Sequence, residues 1–192
     1  MTRGNAQIFP LSTNQNNMKE LEKYKYFLII DLEATCCDQK TIPRNEMETI
    51  EIGAVLVEST NLSVVDEYMT FIKPVRNPKL TPFCTKLTSI KQSDVDDAST
   101  YPIAIKHFKD WLYQYDQFLF CSWGDYDKSQ LEQDSQYHSV PYPIGAEHVN
   151  IKKMFSSTQQ LKKNLEWLAL LRKQRYHLMV NIIEGSMMLE TW

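Results

Sequence analysis

Apolar residues recur along this chain in two rhythms. In Tyr26-Phe27-Leu28-Ile29-Ile30-Asp31-Leu32-Glu33-Ala34-Thr35 the unbroken run Phe27 to Ile30 predicts a strand buried on both faces. Thr49 to Glu58 predicts a second strand and the alternating stretch Val64 to Lys73 a third; short connections make the three an antiparallel meander. Pro74, Pro78 and Pro82 punctuate a long loop, the stretch Phe83 to Ile90 follows, and Ser93 is placed to cap a short turn before Val95. Ile103, Ile105, Phe108, Trp111 and Leu112 fall at helical spacing and predict a helix over Ile103 to Tyr115. Gln117 to Trp123 predicts another buried strand, with a helix from Lys128 to His138. Pro141 and Pro143 break the chain, and Val149 to Phe155 starts a further element. A run of strands followed by strand–helix alternation implies an α/β class, a mixed sheet with helices on its faces.

Composition narrows the setting. At 192 residues the chain has room for one domain with a full core. Residues Met1 to Asn17 are polar, rich in Asn and Gln and aperiodic, and read as disordered; Met18 is an alternative start. No apolar run approaches the ~20 residues of a membrane span, and the first residues lack the apolar core of a secretory signal. Cys36, Cys37, Cys84 and Cys121 show no metal-type spacing, so reduced thiols and a cytoplasmic location are expected. A formal net charge of −3 argues against broad electrostatic binding to duplex nucleic acid. It leaves room for a short single strand held by metals and local contacts.

Candidate chemistry starts at Asp31 and Glu33. Side chains two apart on a strand share a face, so these carboxylates lie side by side at the end of a buried strand. At ~4 Å and an effective dielectric of about 20 they repel by roughly 4 kcal/mol. One takes a proton, or a cation sits between them. Hard oxygen ligands with open positions suit Mg²⁺ or Mn²⁺; the plain alternative is an edge strand with two solvated acids. A second acidic site follows the Gln117–Trp123 strand. Neighbouring buried strands bring their exit loops together, which makes Asp127 a candidate to join Asp31 and Glu33. Asp125 is its rival, with an ordinary role as a helix N-cap. Asp127 has Leu131 one helical turn on to anchor that face.

Several linked segments carry a family resemblance. Ile30-Asp31-Leu32-Glu33-Ala34-Thr35, followed by Glu46-Met47-Glu48-Thr49-Ile50-Glu51-Ile52-Gly53-Ala54, resembles the opening of the DEDDh 3'-5' exonucleases, in particular the branch that trims histone-mRNA ends and small RNAs. Pro82 to Ile90, with Val95-Asp96, resembles that branch's middle segment, with Ser89 where a glycine is usual. Ser122-Trp123-Gly124-Asp125-Tyr126-Asp127 resembles its second motif, whose acid follows an aromatic residue; that match selects Asp127. His148 to Phe155 resembles the next segment. The likeness spans roughly residues 25 to 157. It implies a ribonuclease H-like mixed five-stranded sheet flanked by helices. It also implies two-metal hydrolysis with Mg²⁺ or Mn²⁺ (two ions), and Asp31, Glu33 and Asp127 as catalytic metal ligands. Glu33 would touch the 3'-terminal hydroxyl, and the 3' end of a single strand, RNA or DNA with RNA favoured, would be the substrate. The domain division that follows is a disordered segment 1–20, an exonuclease domain 21–160 and an aberrant tail 161–192.

The resemblance calls for a histidine general base and an aspartate five residues beyond it. After His148 the one histidine is His177, and five residues later stands Ile182, which binds no metal; Glu184 is off register. A one-base frameshift would account for the departure. Read one base earlier, Met179-Val180 forces a glycine and Met187-Met188 forces an aspartate. Among the strings allowed is G-K-H-H-R-G-I-D-D-A-R-N-M, which resembles the missing motif. Leu165 to Leu168 permits G-M-A in the same frame, so a frameshift before about Leu165 is expected. The plain alternative is an amphipathic tail built on Leu165, Leu168, Leu171 and Leu178. Two functions therefore compete: a 3'-5' exonuclease, impaired in this chain, and a non-catalytic nucleic-acid-binding or interaction module on the same fold.

Overall fold

In the computed structural model, residues 21–153 are described, except 22 and 40. The segment 1–20, residues 154–160 and the whole tail 161–192, with His177, Ile182 and the shifted frame, lie outside the described residues. At the centre stands β1 (Tyr26–Ala34), flanked by β2 (Thr49–Glu58) and β4 (Phe118–Ser122) in a sheet of order β3-β2-β1-β4-β5, with β3 at Val64–Phe71 and β5 at His148–Asn150. β1, β2 and β3 form the expected antiparallel meander, and β4 and β5 add in parallel. This is the mixed five-stranded sheet flanked by helices that the resemblance implies.

Alternation along β1 divides the core. Leu28, Ile30 and Leu32 pack with Ile52, Ala54 and Leu56 against Tyr101, Ile105, Phe108 and Leu112 of one helix. Phe27 and Ile29 face the other way, onto Val55, Val57, Leu119 and Ile151. Both faces of the central strand are thus covered, as its continuous apolar run requires. Asp66 ties α3 (Tyr101–Leu112) to β3, accepting from Trp111 Nε1 at 2.7 Å and the Tyr115 hydroxyl at 2.6 Å.

Several boundaries differ from the sequence reading. The stretch after Pro82 forms helix α1 (Pro82–Thr88), which the sequence reading left unassigned. Thr81 accepts from the Cys84 N–H and Pro82 occupies the first turn, a start signal overlooked beside the prolines. Ser89 closes α1 at φ +66°. The left-handed region favours glycine, which gives a physical reason for a glycine being usual there. Ser93 does not cap α2 (Gln92–Asp96): Lys91 is the N-cap, and its backbone N–H donates to Asp94 Oδ2 at 2.8 Å. α3 begins at Tyr101 rather than Ile103, because Pro102 in the first turn needs no donor. It ends at Leu112 rather than Tyr115. α4 spans Tyr126–Tyr137, so Asp127 lies inside its first turn. β5 is followed by helical backbone at 151–153.

Candidate active site

β1 outruns its parallel neighbour. Its ladder with β4 ends at the Ile29–Cys121 pair, whereas its pairing with β2 continues through Asp31–Gly53 and Glu33–Glu51. The strand's end is therefore open on the β4 side. There the Leu32 N–H donates to Asp127 Oδ1 at 3.0 Å instead of to a strand carbonyl. The exit of β4 turns at Gly124, whose φ of +118° suits a residue without Cβ. α4 then starts at once and drops Asp127 into the gap. Leu131, fully buried in the main core, fixes the face of α4 that does this.

Asp127 is 5% exposed, and Asp31 and Glu33 are half-buried. Burial, and next the negative charge of Asp31, push the Asp127 carboxyl up to about 7. Glu33 adds to this, and the hydrogen bond from Leu32 opposes it. The three acids selected from the sequence thus form one electrostatic cluster. Asp125 goes elsewhere. It occupies the N-cap position without capping through its side chain, and its Oδ2 accepts from Lys153 Nζ at 2.7 Å at the surface. That ion pair holds its carboxyl below the usual range.

A pairing break between Glu33 and Ala34 marks the point where β1 leaves the regular ladder. Bulges at such positions re-aim side chains beside sites. Glu51, 6% exposed, is the partner of Glu33 across the β1–β2 register and so adds a fourth carboxylate on this face. In the sequence Glu51 stands inside the Glu46–Ala54 segment with no spacing that assigns it to the site. Its signal was an acid in the middle of the apolar run Ile50 to Val57.

Buried hydrogen bonds behind the acids clamp α4 to β2. Asp134 Oδ2 accepts from the Thr49 N–H at 2.9 Å and the Thr49 hydroxyl at 2.6 Å. Glu48, 3% exposed, accepts from the backbone N–H groups of Val75, Arg76 and Asn77 at 2.7–3.0 Å. Arg76 reaches from that loop toward Asp134 at 3.6 Å and lies 3.9 Å over the Tyr137 ring. Fixing α4 in this way fixes Asp127.

The donor set suits a divalent cation: all-oxygen ligands, clustered negative charge, and a carboxyl whose ionisation burial and the neighbouring acids oppose. The cluster is not a closed cage. Among the described residues no three ligating side chains converge on one metal position, and Asp127 Oδ1 faces the Leu32 N–H.

The chain as a whole is similar to known proteins. The profile of the family described as Exonuclease (RNase T) matches residues 28–175. The chain is 32% identical over 151 residues to the human protein named 3'-5' exoribonuclease 1, covering 73% of this chain and 42% of that relative. In general it spans less than half the length of the curated relatives it matches. The nuclease domain of 3'hExo, a DEDDh family member bound to rAMP, superposes with a TM-score of 0.72 at 27% identity, over 87% of this chain and 92% of that one. A 3'-exonuclease solved for its 3'-end specific recognition of histone mRNA stem-loop superposes with a TM-score of 0.67 at 31% identity, over 72% and 64% of the two chains.

Proposed function

The chain belongs to the RNase T exonuclease family, and from that membership we propose that it is a metal-dependent 3'-5' exonuclease. It hydrolyses single-stranded nucleic acid from the 3' end, RNA in preference to DNA. The observation that carries the reading is the buried Asp127 carboxyl beside Asp31 and Glu33 at the end of β1. A family profile alone would not distinguish a nuclease centre from a bare scaffold; the acidic cluster supports the nuclease.

Asp31, Glu33 and Asp127 would hold two divalent ions, Mg²⁺ or Mn²⁺. When bound, these supply a water activated for attack and charge stabilisation at the scissile phosphate. The chain's own part begins with a proton. With its carboxyl at about 7, Asp127 is partly protonated at neutral pH and releases that proton as it becomes a ligand. Metal affinity therefore rises with pH through that value. Glu33, next to the pairing break, orients the 3'-terminal hydroxyl. The relatives' names support RNA as substrate. The acidic net charge supports a single strand over a duplex.

The test is a gel assay on a 5'-labelled oligoribonucleotide with Mn²⁺, comparing a 3' overhang with a blunt duplex. Stepwise shortening from the 3' end, faster on the overhang, is expected. Internal cleavage or faster cutting of the blunt duplex counts against the reading. Because Ile182 stands where the family places an aspartate, the chain as written should be weak, and the assay includes a version with the last motif restored.

A further inference from the structure

Arg44 lies in a short 3-10 turn (Arg44–Glu46) of the loop between β1 and β2, exposed at the surface. Its guanidinium stacks 4.4 Å over the ring of Tyr126, the residue directly before Asp127. Nη1 donates to Gln130 Oε1 at 2.6 Å and to Gln133 Oε1 at 3.1 Å. Both glutamines are oriented from their other ends. Gln130 Nε2 donates to the Met47 carbonyl and to Asp134, and Gln133 Nε2 to the same Met47 carbonyl. Their carbonyl oxygens are thereby aimed at Arg44, and Gln130 is wholly buried. A long flexible cation is thus held in one orientation before any ligand arrives.

What is held is unspent charge. Among the described residues Arg44 makes no ion pair, and its hydrogen bonds all leave from Nη1. The Nε–Nη2 edge remains for a planar, bidentate acceptor, the geometry a phosphate offers. Its place relates it to the acids. The Tyr126 phenol lies within electrostatic reach of Arg44, Asp127, Glu33 and Cys36, and Tyr126 is joined directly to Asp127 in the first turn of α4. Tyr126 as a residue keeps 40% of its surface exposed. Arg44 and the partly exposed Tyr126 therefore stand together beside the acidic cluster.

We propose that Arg44 is a substrate-binding residue, receiving a backbone phosphate of a single strand whose 3' end lies at Asp31, Glu33 and Asp127. This rests on the exonuclease reading and adds to it the cation that lets a polyanion approach three acids. A purely structural Arg44, tying the loop to α4 through Gln130 and Gln133, would serve folding and leave binding indifferent to its charge.

Fluorescence anisotropy with the full chain separates the two. The probe is a labelled oligouridylate of about ten nucleotides with phosphorothioate linkages at its 3' end, a length within single-strand site sizes. Affinity is measured against salt in Mn²⁺ for the parent, Arg44→Met, Arg44→Gln and Arg44→Lys, with the thermal midpoint of each. Loss of one phosphate contact should weaken binding about tenfold and flatten the slope of log affinity against log salt by about 0.7 in Arg44→Met and Arg44→Gln. Arg44→Lys should keep the parent slope and lose part of the affinity, since an ammonium neither stacks nor forks as a guanidinium does. An unchanged slope in whichever neutral variant keeps the parent midpoint overturns the assignment of Arg44. A parent chain that does not bind the probe at all overturns the nucleic-acid reading itself.

Discussion

The Leu32 N–H and the Asp127 carboxylate, 95 residues apart in sequence, meet at 3.0 Å where β1 runs on past the end of its ladder with β4. The bond does two things at once. It satisfies a buried donor that the parallel strand no longer reaches, and it brings a third carboxylate to Asp31 and Glu33. Unpaired, such a donor costs about 1–3 kcal/mol. Loss of Asp127 by truncation is therefore expected to be felt in stability as well as in chemistry.

That coupling gives stability a pH dependence of definite sign. The Asp127 carboxyl is raised in the fold, from an ordinary 3.8 to about 7. Between those values the folded chain binds more protons than the unfolded one, so metal-free stability falls as pH rises through that window. Asparagine at this position keeps the acceptor for Leu32 and removes the charge. Metal-free thermal midpoints of the parent should drop from pH 5 to pH 8, while Asp127→Asn flattens the curve and is the more stable at pH 8. Parallel curves for the two proteins would refute the assignment.

Asp125 and Asp127 are expected to differ sharply in activity. Asp125 spends its charge on Lys153 at the surface, an ion pair worth about 0–1 kcal/mol. The chain with its last motif restored by a one-base correction should encode H-x-x-x-x-D near its end and trim 3' ends. In that background Asp127→Ala should abolish trimming and Asp125→Ala retain most of it. The reverse ranking would overturn the choice of Asp127, and a shifted frame that lacks the motif on resequencing would overturn the frameshift.

Ser89 carries a cost that glycine would not. At φ +66°, with its N–H donating to the Thr85 carbonyl at 2.9 Å, it ends α1 in the left-handed region. Ser89→Gly should stabilise the fold by about 0.5–1 kcal/mol, read as a shift of the urea midpoint at constant m-value. A lower midpoint would show that the serine side chain contributes something the backbone account omits.

The sheet was legible because its rule is local. The continuous apolar runs of β1, β2 and β4 and the polar turns between them give the strands and the meander without tertiary information. The gathering of Asp31, Glu33 and Asp127 was legible through adjacent strand ends, and the choice of Asp127 over Asp125 through Leu131 and the aromatic residue before it. Arg44, Glu51 and the Glu48–Arg76–Asp134 clamp were not. Their roles depend on which residues oppose one another across β1–β2 and on what α4 meets, and neither is written in local spacing. α1 was missed for a different reason: its Thr-Pro start was read as part of a proline-rich loop.

Calorimetric titration of Mn²⁺ into the full chain at about pH 8, above the Asp127 carboxyl value, tests the central claim most directly. The parent should bind, and Asp31→Asn, which removes one ligand oxygen and one charge at nearly constant shape, should bind about tenfold more weakly or worse. Equal Mn²⁺ affinity in the parent and Asp31→Asn would contradict a metal centre at the end of β1.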